Sequence, residues 1–526
     1  MFPLLAALLG AGHGLAKESE PSLVSLNVKE AAPVAFSKGL LGAQEEVFVL
    51  PYLTADFWQK TRETGVSLLR YPCGTPSDWF LWDKPESGYW GSYAKKRNKT
   101  HPDAFVALCR ENGIAPFITV NTAAYGAPVE KNRINPMRAE SIQKGADYAA
   151  AWVRDFNVKK KYGVKYWEIG NEVWTWMRAS EYPQFVRLYS KAMKAVDPSI
   201  RIAACGEEYD RRPFNASWLK FPDDSEWTAR SDHRTSWFDW NQRLIQEAGD
   251  SFDHLSLHLY LTGDSPDPVQ NTLEMFSTVS VARKLEQVIT QLRAAHSPAR
   301  IAITEWGVNF RWDPVYKNYF VKEMGYPEMK DLTYENSPAF TFGSLLVSAD
   351  FIGRLASSGM VDIAVAHTLS NTLLRSRDNE EQKNLHPPAE LPTGAALKFW
   401  HEFAGDTVLP VEIAGSPKIV CRGVRFPMLS AYATTSRAGG PLRLILINRS
   451  PDRTLHLALP ATVAGKPVKT VAEHTISAES WGTSMWGSWR QPEDAPFKRG
   501  DRDVPAGEWG DYTLRPSRLT CLELNP

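Results

Sequence analysis

The feature that most restricts the fold is an alternation between short apolar β-rich runs and longer stretches of helical periodicity, from about residue 40 to residue 370. Apolar side chains recur three or four positions apart in residues 185–196 and 285–292, which predicts a helix in each. This alternation is typical of repeated βα units and indicates an α/β fold. Eight candidate strands lie at residues 40–44, 66–71, 116–120, 165–169, 201–205, 254–258, 300–304 and 361–367.

Eight such units predict a (β/α)8 TIM barrel, which we assign to residues 36–404. After residue 405 the helical period disappears, which predicts a β-sandwich domain over residues 405–526. Its predicted strands are short alternating segments at residues 418–425, 429–434, 442–448, 454–458 and 519–524. One or more strands within residues 17–35 are expected to join that sandwich. The connection over residues 206–253 is too long for an ordinary loop, and we interpret it as an enlarged βα loop beside the site. Its tryptophans are Trp218, Trp227, Trp237 and Trp240.

Charge and composition exclude some classes of partner. The chain has 60 basic and 60 acidic residues with no basic cluster, so we expect no nucleic-acid partner. Its 19 Trp, 18 Tyr and 23 Phe suit either a large aromatic core or stacking on sugars, and composition alone does not separate the two.

The N-terminus carries an apolar run that is followed by small residues, with a cleavage position before Lys17. We interpret residues 1–16 as a signal peptide, which predicts a secreted or periplasmic protein. A buried N-terminal strand is the alternative. The run is shorter than the roughly 20 apolar residues that a membrane span needs, and no other segment is long enough, so no membrane span is expected.

Cysteine and histidine patterns give no sign of a metal. The five cysteines are odd in number, widely spaced and free of CxxC pairs, which disfavours both a disulfide framework and a zinc site. His254 and His258 have an HxxxH spacing but lie on a predicted strand, where their rings would stand about 13 Å apart along the chain. We therefore expect no metal and no organic cofactor.

Two strands end on a glutamate in matched contexts. Residues 166–172 read YWEIGNE and residues 301–307 read IAITEWG, so Glu172 and Glu305 both follow apolar strands, the fourth and the seventh. Active sites of this fold lie at the carboxyl ends of the strands. Glu168 is the competing acid, but it lies inside the strand and is interpreted as a structural carboxylate. For a single strand-end glutamate a salt bridge or a cap is the more ordinary interpretation, whereas the pair in matched contexts favours a catalytic one.

A pair of acids that face one cavity is what cleavage of a glycosidic bond requires. One acid protonates the leaving oxygen and the other attacks the anomeric carbon. If the reaction retains configuration, the two carboxyl groups should lie about 5 to 5.5 Å apart.

The Asn171–Glu172 pair and Glu305 resemble the clan A glycoside hydrolases, and further motifs resemble the α-L-arabinofuranosidase family, glycoside hydrolase family 51, within that clan. The resemblance implies a retaining double displacement with Glu172 as acid/base and Glu305 as nucleophile. It also implies that Asn171 bonds the 2-hydroxyl of the sugar and that Glu46, in the motif LGAQEE, binds its outer hydroxyls.

Two further motifs are similar to those of the family. RYPCG implies that Arg70 lies beneath the nucleophile and keeps it ionised, because a nearby cation favours the carboxylate. SLHLY implies that Tyr260 bonds the nucleophile and that His258 lines the floor of the site. We include Asn121 and Trp306 among the candidate substrate-binding residues.

Three positions depart from the family pattern and bear on the choice of sugar. Cys73 replaces a glycine next to Arg70, which narrows the backbone freedom there. Asn309 lies where an aromatic residue often closes the sugar pocket, and His367 lies where a glutamine usually meets the sugar. His367 could serve as a donor in its place.

The sequence therefore predicts an α-L-arabinofuranosidase-like exo-enzyme that acts on the side chains of a plant or algal oligosaccharide or polysaccharide. The alternatives within the clan are a β-xylosidase, a β-glucuronidase and an endo-glucanase. The alternatives outside enzymes are a non-catalytic carbohydrate-binding protein on a barrel scaffold and a cell-surface interaction protein built around the sandwich.

Overall fold

The computed structural model describes most of the chain. The described ranges are 23–29, 31–85, 100–122, 129–130, 133–134, 139–175, 177, 179–207, 240–314, 317, 321, 329–377, 385–436, 440–486 and 496–526. The predicted signal peptide and three of the four tryptophans of the long connection lie outside these residues, so both predictions stand untested. Trp240 is described, and it begins a helix.

Eight parallel strands close into a barrel, and each one coincides with a predicted strand. In chain order these strands are β3 (Gly42–Gln44), β4 (Leu68–Tyr71), β5 (Ala115–Val120), β8 (Tyr166–Ile169), β9 (Arg201–Cys205), β10 (His254–Leu261), β11 (Arg300–Val308) and β12 (Val361–His367). Strand β12 pairs with β3, which closes the cylinder. The prediction of a TIM barrel is confirmed.

Helices form the outer layer of the barrel. They are α1 (Ala55–Glu63), α2 (Pro102–Glu111), α3 (Ala139–Val153), α4 (Tyr182–Val196), α5 (Trp240–Ala248), α6 (Pro268–Val281), α7 (Arg283–Ala294), α8 (Phe342–Ser357) and α9 (Pro392–Phe403). The two helices predicted from periodicity are α4 and α7. None of the described helices is long and apolar enough to cross a membrane.

The interior of the barrel is divided into an apolar layer and a polar layer. The apolar layer is a buried cluster inside the barrel that includes Leu68, Phe117 and Ala302. Two positions further along β4 and β5, the inward side chains are those of Arg70 and Thr119, because alternate residues of a strand point the same way. The barrel is therefore a packed core whose polar layer lies toward the carboxyl ends of the strands.

The second unit contains two antiparallel-rich sheets that enclose their own apolar core. One sheet has the order β16–β1–β21–β26, with strands Val411–Ala414, Val24–Val28, Leu455–Ala458 and Tyr512–Leu514. The other has the order β2–β15–β19–β20–β27–β24–β25, with strands Val34–Ala35, Thr407–Leu409, Leu429–Thr435, Leu442–Asn448, Arg518–Asn525, Thr470–Ser477 and Lys498–Asp503. The early strand Val24–Val28 thus lies between strands from the C-terminal part of the chain. The other described strands form four two-stranded sheets: β6 (Val129–Glu130) with β7 (Arg133–Ile134), β13 (Leu374–Arg377) with β14 (Leu385–Glu390), β17 (Lys418–Cys421) with β18 (Val424–Pro427), and β22 (Thr462–Val463) with β23 (Lys466–Pro467).

The two units meet at a buried ion pair. Arg449, which follows β20, donates to Asp350 Oδ2 on helix α8 at 2.6 Å from Nη2 and 3.0 Å from Nε. Tyr432 of β19 donates to Asp350 Oδ1 at 2.7 Å. Since Asp350 has no exposed surface, these donors supply the polar contacts that a buried carboxylate requires.

Candidate active site

Arg70 is the centre of the polar layer. Its side chain is fully buried and donates in three directions. Nε bonds Glu168 Oε2 at 2.8 Å, Nη1 bonds Glu305 Oε1 at 2.8 Å, and Nη2 bonds Asn171 Oδ1 at 2.7 Å. A fourth partner, Gln44, accepts a hydrogen bond from Nη1 at 2.7 Å. The fixed fork of the guanidinium thus joins the ends of four strands.

The two glutamates predicted from strand ends meet in space. One carboxylate oxygen of Glu172, one of Glu305 and one ring nitrogen of His258 all lie within 4.8 Å of one another. The Glu305 side chain is 6% exposed and that of Glu172 is 27% exposed, so the first is the more enclosed of the pair. A spacing this short matches retaining rather than inverting glycosidases, whose carboxyl groups stand about 6.5 to 9.5 Å apart.

Local irregularities of the backbone orient the carboxylates of Glu172 and Glu305. Between Leu257 and His258 the register of β10 against β11 shifts by one residue, so that His258 pairs with Glu305 and Thr304 is skipped. Such a bulge redirects the side chains that follow it. Glu172 has a φ of 47°, in the left-handed region that non-glycine residues rarely adopt outside special sites.

His258 lies between the two acids. Its Nδ1 is 3.0 Å from Glu172 Oε1 and 3.6 Å from Glu305 Oε2, and the ring is almost fully buried. Burial alone would disfavour the charged ring, but the negative charges of Glu305 and Glu172 outweigh it and raise the pKa of His258 to about 9. At neutral pH the ring is therefore an imidazolium, whose positive charge lies between the two acids.

Glu305 is held in its ionised form. Burial favours the neutral acid, yet the charges of His258 and Arg70 and a 2.6 Å hydrogen bond from the Tyr260 hydroxyl hold the pKa of Glu305 well below its usual range. An attacking carboxylate must be unprotonated, so this environment suits a nucleophile.

Protonation of His258 competes with metal binding at this cluster. Glu172, His258 and Glu305 form the one described group of three or more potential ligands with close donor atoms. Coordination requires the neutral imidazole, whereas the raised pKa of His258 favours its protonated form.

The remaining predicted residues at the site differ in placement. Asn171 lies in the polar layer, bonded to Arg70. Glu46 is half-buried and close enough for its charge to act on the Cys73 thiol, two residues after β4. Asn121 directly follows β5, where its Nδ2 donates to the Phe80 carbonyl at 2.6 Å.

The structure contradicts the assignment of Trp306 to substrate binding. Neighbouring residues of a strand point to opposite faces, and Glu305 points into the barrel, so Trp306 points toward the helices. Its ring is fully buried and lies 5.3 Å from that of Phe351 on helix α8. Trp306 is therefore a core residue.

The three departures from the family pattern have structural counterparts. Cys73 is buried with a φ of 81°, a strained conformation for a residue with a side chain. Asn309 turns away from the site and donates to Ser344 Oγ at 3.1 Å, and the next residue, Phe310, supplies the aromatic ring. The centroid of the Phe310 ring lies 5.0 Å from that of Tyr260 and 5.3 Å from that of His367.

Sequence reasoning did not find three buried polar residues of the site. Gln44 ends strand β3, so the strand-end rule that selected Glu172 and Glu305 could have found it. Thr119 donates to Glu168 Oε2 at 2.9 Å and precedes the end of β5. Asp78 lies in a 3-10 turn between elements, where no periodic signal marks it.

The charge of His258 predicts a pH-dependent stability. Its folded pKa of about 9 exceeds the unfolded value of 6.5, so its contribution is complete below pH 6.5 and is lost as the pH rises through 9. We expect wild type to lose on the order of 3 kcal/mol more than His258→Gln between pH 6 and pH 10. Chemical denaturation of both proteins across this range measures the difference, and parallel curves would contradict the ion pair.

Comparison with known proteins agrees with this geometry. A family model described as the α-L-arabinofuranosidase 1 domain matches residues 81–251. An intracellular exo-α-(1→5)-L-arabinofuranosidase of Streptomyces lividans is 22% identical over 455 residues, 81% of this chain and 62% of that protein. The chain thus spans less than two thirds of that relative. A Bacillus subtilis protein of the same description is 21% identical, over 79% of this chain and 78% of its own.

Solved structures share the fold over nearly the whole chain. The family 51 α-L-arabinofuranosidase of Thermotoga petrophila superposes with a TM-score of 0.66 at 19% identity, and covers 95% of this chain and 99% of its own. In its barrel, its acid pair and its relatives, the chain is similar to glycoside hydrolases. Within that class it resembles the family 51 α-L-arabinofuranosidases of clan A.

Proposed function

We propose that this protein is a retaining, exo-acting α-L-arabinofuranosidase that removes side chains from plant or algal polysaccharides. The observation that carries the proposal is the close approach of Glu172 and Glu305 across the mouth of the barrel. Glu305 attacks the anomeric carbon while Glu172 protonates the departing oxygen. Water then hydrolyses the glycosyl-enzyme with Glu172 as the base.

The environments of the two acids support these roles. Glu305 is enclosed, ionised and bonded by Arg70 and Tyr260, as a nucleophile should be. Glu172 is the more exposed acid, with 27% of its side chain accessible, so it can reach the leaving group and exchange protons with water. The names of the relatives support arabinose as the sugar.

A panel of chromogenic glycosides tests the substrate. We expect 4-nitrophenyl α-L-arabinofuranoside to be cleaved with a kcat/KM at least about tenfold above those of the β-xyloside, the β-glucuronide and the β-cellobioside. A higher kcat/KM on the β-xyloside, the β-glucuronide or the β-cellobioside would favour the β-xylosidase, the β-glucuronidase or the endo-glucanase, respectively. Saturable sugar binding without cleavage of any substrate would favour a carbohydrate-binding protein.

The acid role of Glu172 predicts a dependence on the leaving group. Glu172→Ala should lower kcat/KM by about 10² to 10⁴-fold for a natural arabino-oligosaccharide, whose alkoxide leaves poorly. The loss for a 2,4-dinitrophenyl arabinofuranoside should be far smaller, because that leaving group needs no proton. Steady-state rates on both substrates measure the ratio, and equal losses would exclude the acid role.

We also propose that residues 1–16 direct secretion or export to the periplasm. The apolar run and the small residues before Lys17 support this, although two relatives are described as intracellular. The mass of the mature protein from fractionated cells tests it, and a full-length chain confined to the cytoplasm would contradict it.

A further inference from the structure

Asp78 is a buried carboxyl group that no part of the proposed mechanism uses. It lies in the 3-10 turn Thr75–Trp79 after strand β4 and is 1% exposed. Its Oδ1 accepts two hydrogen bonds, from Thr122 Oγ1 at 2.8 Å and from the Asn171 backbone N–H at 3.2 Å. Asp78 therefore joins the segments that follow strands β4, β5 and β8.

The segment that Asp78 holds is the turn that presents Glu172. Gly170 has a φ of 76°, and a Cβ there would lie 2.4 Å from Val173 Cγ1 and 2.9 Å from Thr122 Oγ1. Glu172 also has a positive φ, so two of the three residues 170–172 adopt backbone conformations that do not occur in a regular strand. Asn171 lies between them, with its side chain fixed by Arg70 and its N–H by Asp78.

The surroundings of Asp78 disfavour a negative charge. Among the described residues, no lysine or arginine lies within ion-pair distance of it. The carboxylate of Glu168 faces it from β8, the guanidinium of Arg70 faces it from β4, and burial outweighs its hydrogen bonds, so that the pKa of Asp78 is raised to about 8. The buried Tyr182 and Cys205 are the other titratable groups close enough to feel its charge.

We propose that Asp78 is a positioning residue that holds the turn carrying Asn171 and Glu172 at the right distance from Glu305, and that it does so as the neutral acid. The inference rests on the proposed roles of Glu172 and Glu305. An acid displaced by about 1 Å loses much of its effect on proton transfer, so Asp78 acts on catalysis without touching the substrate.

The test compares Asp78→Ala and Asp78→Asn on two arabinofuranosides, one with a good leaving group and one with a poor one. Asp78→Ala removes the acceptor, and we expect kcat to fall by about 10 to 100-fold on the poor leaving group and only a few-fold on the good one. Asp78→Asn keeps an acceptor oxygen in the same place and should recover most of this loss. Equal losses on both substrates, or no recovery, would overturn the proposal.

The pH dependence of stability tests the neutral form. The folded pKa of Asp78, about 8, exceeds the unfolded value of 3.8, so wild type should lose stability as the pH rises between these values. Asp78→Asn cannot ionise, so it should lose less over the same range, which chemical denaturation of both proteins measures. An equal pH dependence in the two proteins would overturn the neutral-acid part. Asp350→Asn is the matched control, since it alters a buried carboxylate at the interface between the two units and should lower stability without changing the ratio of the two rates.

Thr122→Val provides a second variant in case Asp78→Ala does not fold. It removes one donor to Asp78 with little change in volume, and the ratio of the two rates should shift in the same direction. A ratio equal to that of wild type would overturn the proposal. If no glycoside is cleaved by wild type, the proposed function itself fails, and that outcome is separate from a wild-type enzyme whose rate ratio is insensitive to Asp78.

Discussion

Glu305→Ala should lower kcat by at least about 10⁴-fold on every substrate that wild type cleaves. The variant lacks the carboxylate that attacks the anomeric carbon, so no glycosyl-enzyme can form. Folding should survive, because Arg70 keeps Glu168, Gln44 and Asn171 as partners. Steady-state rates and circular dichroism measure both expectations, and a rate within tenfold of wild type would remove the nucleophile role.

Azide makes this test specific for position as well as for charge. In Glu305→Gly, azide should enter the space left by the carboxylate, attack from the same face, and release a glycosyl azide of inverted configuration. Glu172→Ala is the matched control. There Glu305 still forms the glycosyl-enzyme, and azide attacks it from the opposite face, which yields a glycosyl azide of retained configuration. The same configuration from both variants would contradict the two assignments.

Arg70→Met should lower the free energy of unfolding by about 3 to 5 kcal/mol, the usual cost when one partner of a buried ion pair is removed. The arginine is fully buried, and its loss leaves Glu168, also fully buried, and Glu305 without their cation. Chemical denaturation at neutral pH measures the change. Arg300→Met is the matched control, because Arg300 pairs with Asp362 at a part-exposed position and should contribute less than about 1 kcal/mol.

Arg70→Met should also alter the pH profile of kcat/KM. Arg70 is one of the cations that hold the pKa of Glu305 low, so its removal should move the acid limb of kcat/KM to higher pH. Glu168→Gln in the same chain removes the second unpaired charge and should restore part of the lost stability. Additive losses in the double variant would indicate that Arg70 and Glu168 do not depend on each other.

Much of the barrel could be predicted because its signals are local. Each strand is a short apolar run between helical stretches, so all eight were found from the chain alone. In the second unit the prediction was less complete. Residues 418–425 were predicted as one strand, but Arg422 and Gly423 have φ values of 51° and 73° and turn the chain into a hairpin of Lys418–Cys421 and Val424–Pro427. Strands β24 and β25 were not predicted.

The site could be predicted in part for a topological reason. All strands of a parallel barrel end at the same face, so a polar residue at a strand end is already close to the others. This places Glu172, Glu305, Arg70 and Tyr260 together before any distance is known. It does not place Asp78, because a residue in a connecting turn has no fixed position relative to the strand ends.

The sequence by itself determined which acids stand at the mouth of the barrel. The apolar runs that form the strands are local signals, and every strand of a parallel barrel ends at the same face. The tertiary structure alone decided how those acids are used. Arg70 and Glu305 are 235 residues apart in the chain, and their 2.8 Å contact depends on the strand register and on the bulge at Thr304. The direction of Trp306, the bridging position of His258 and the burial that raises the pKa of Asp78 likewise arise from packing between distant segments, which a linear pattern does not encode.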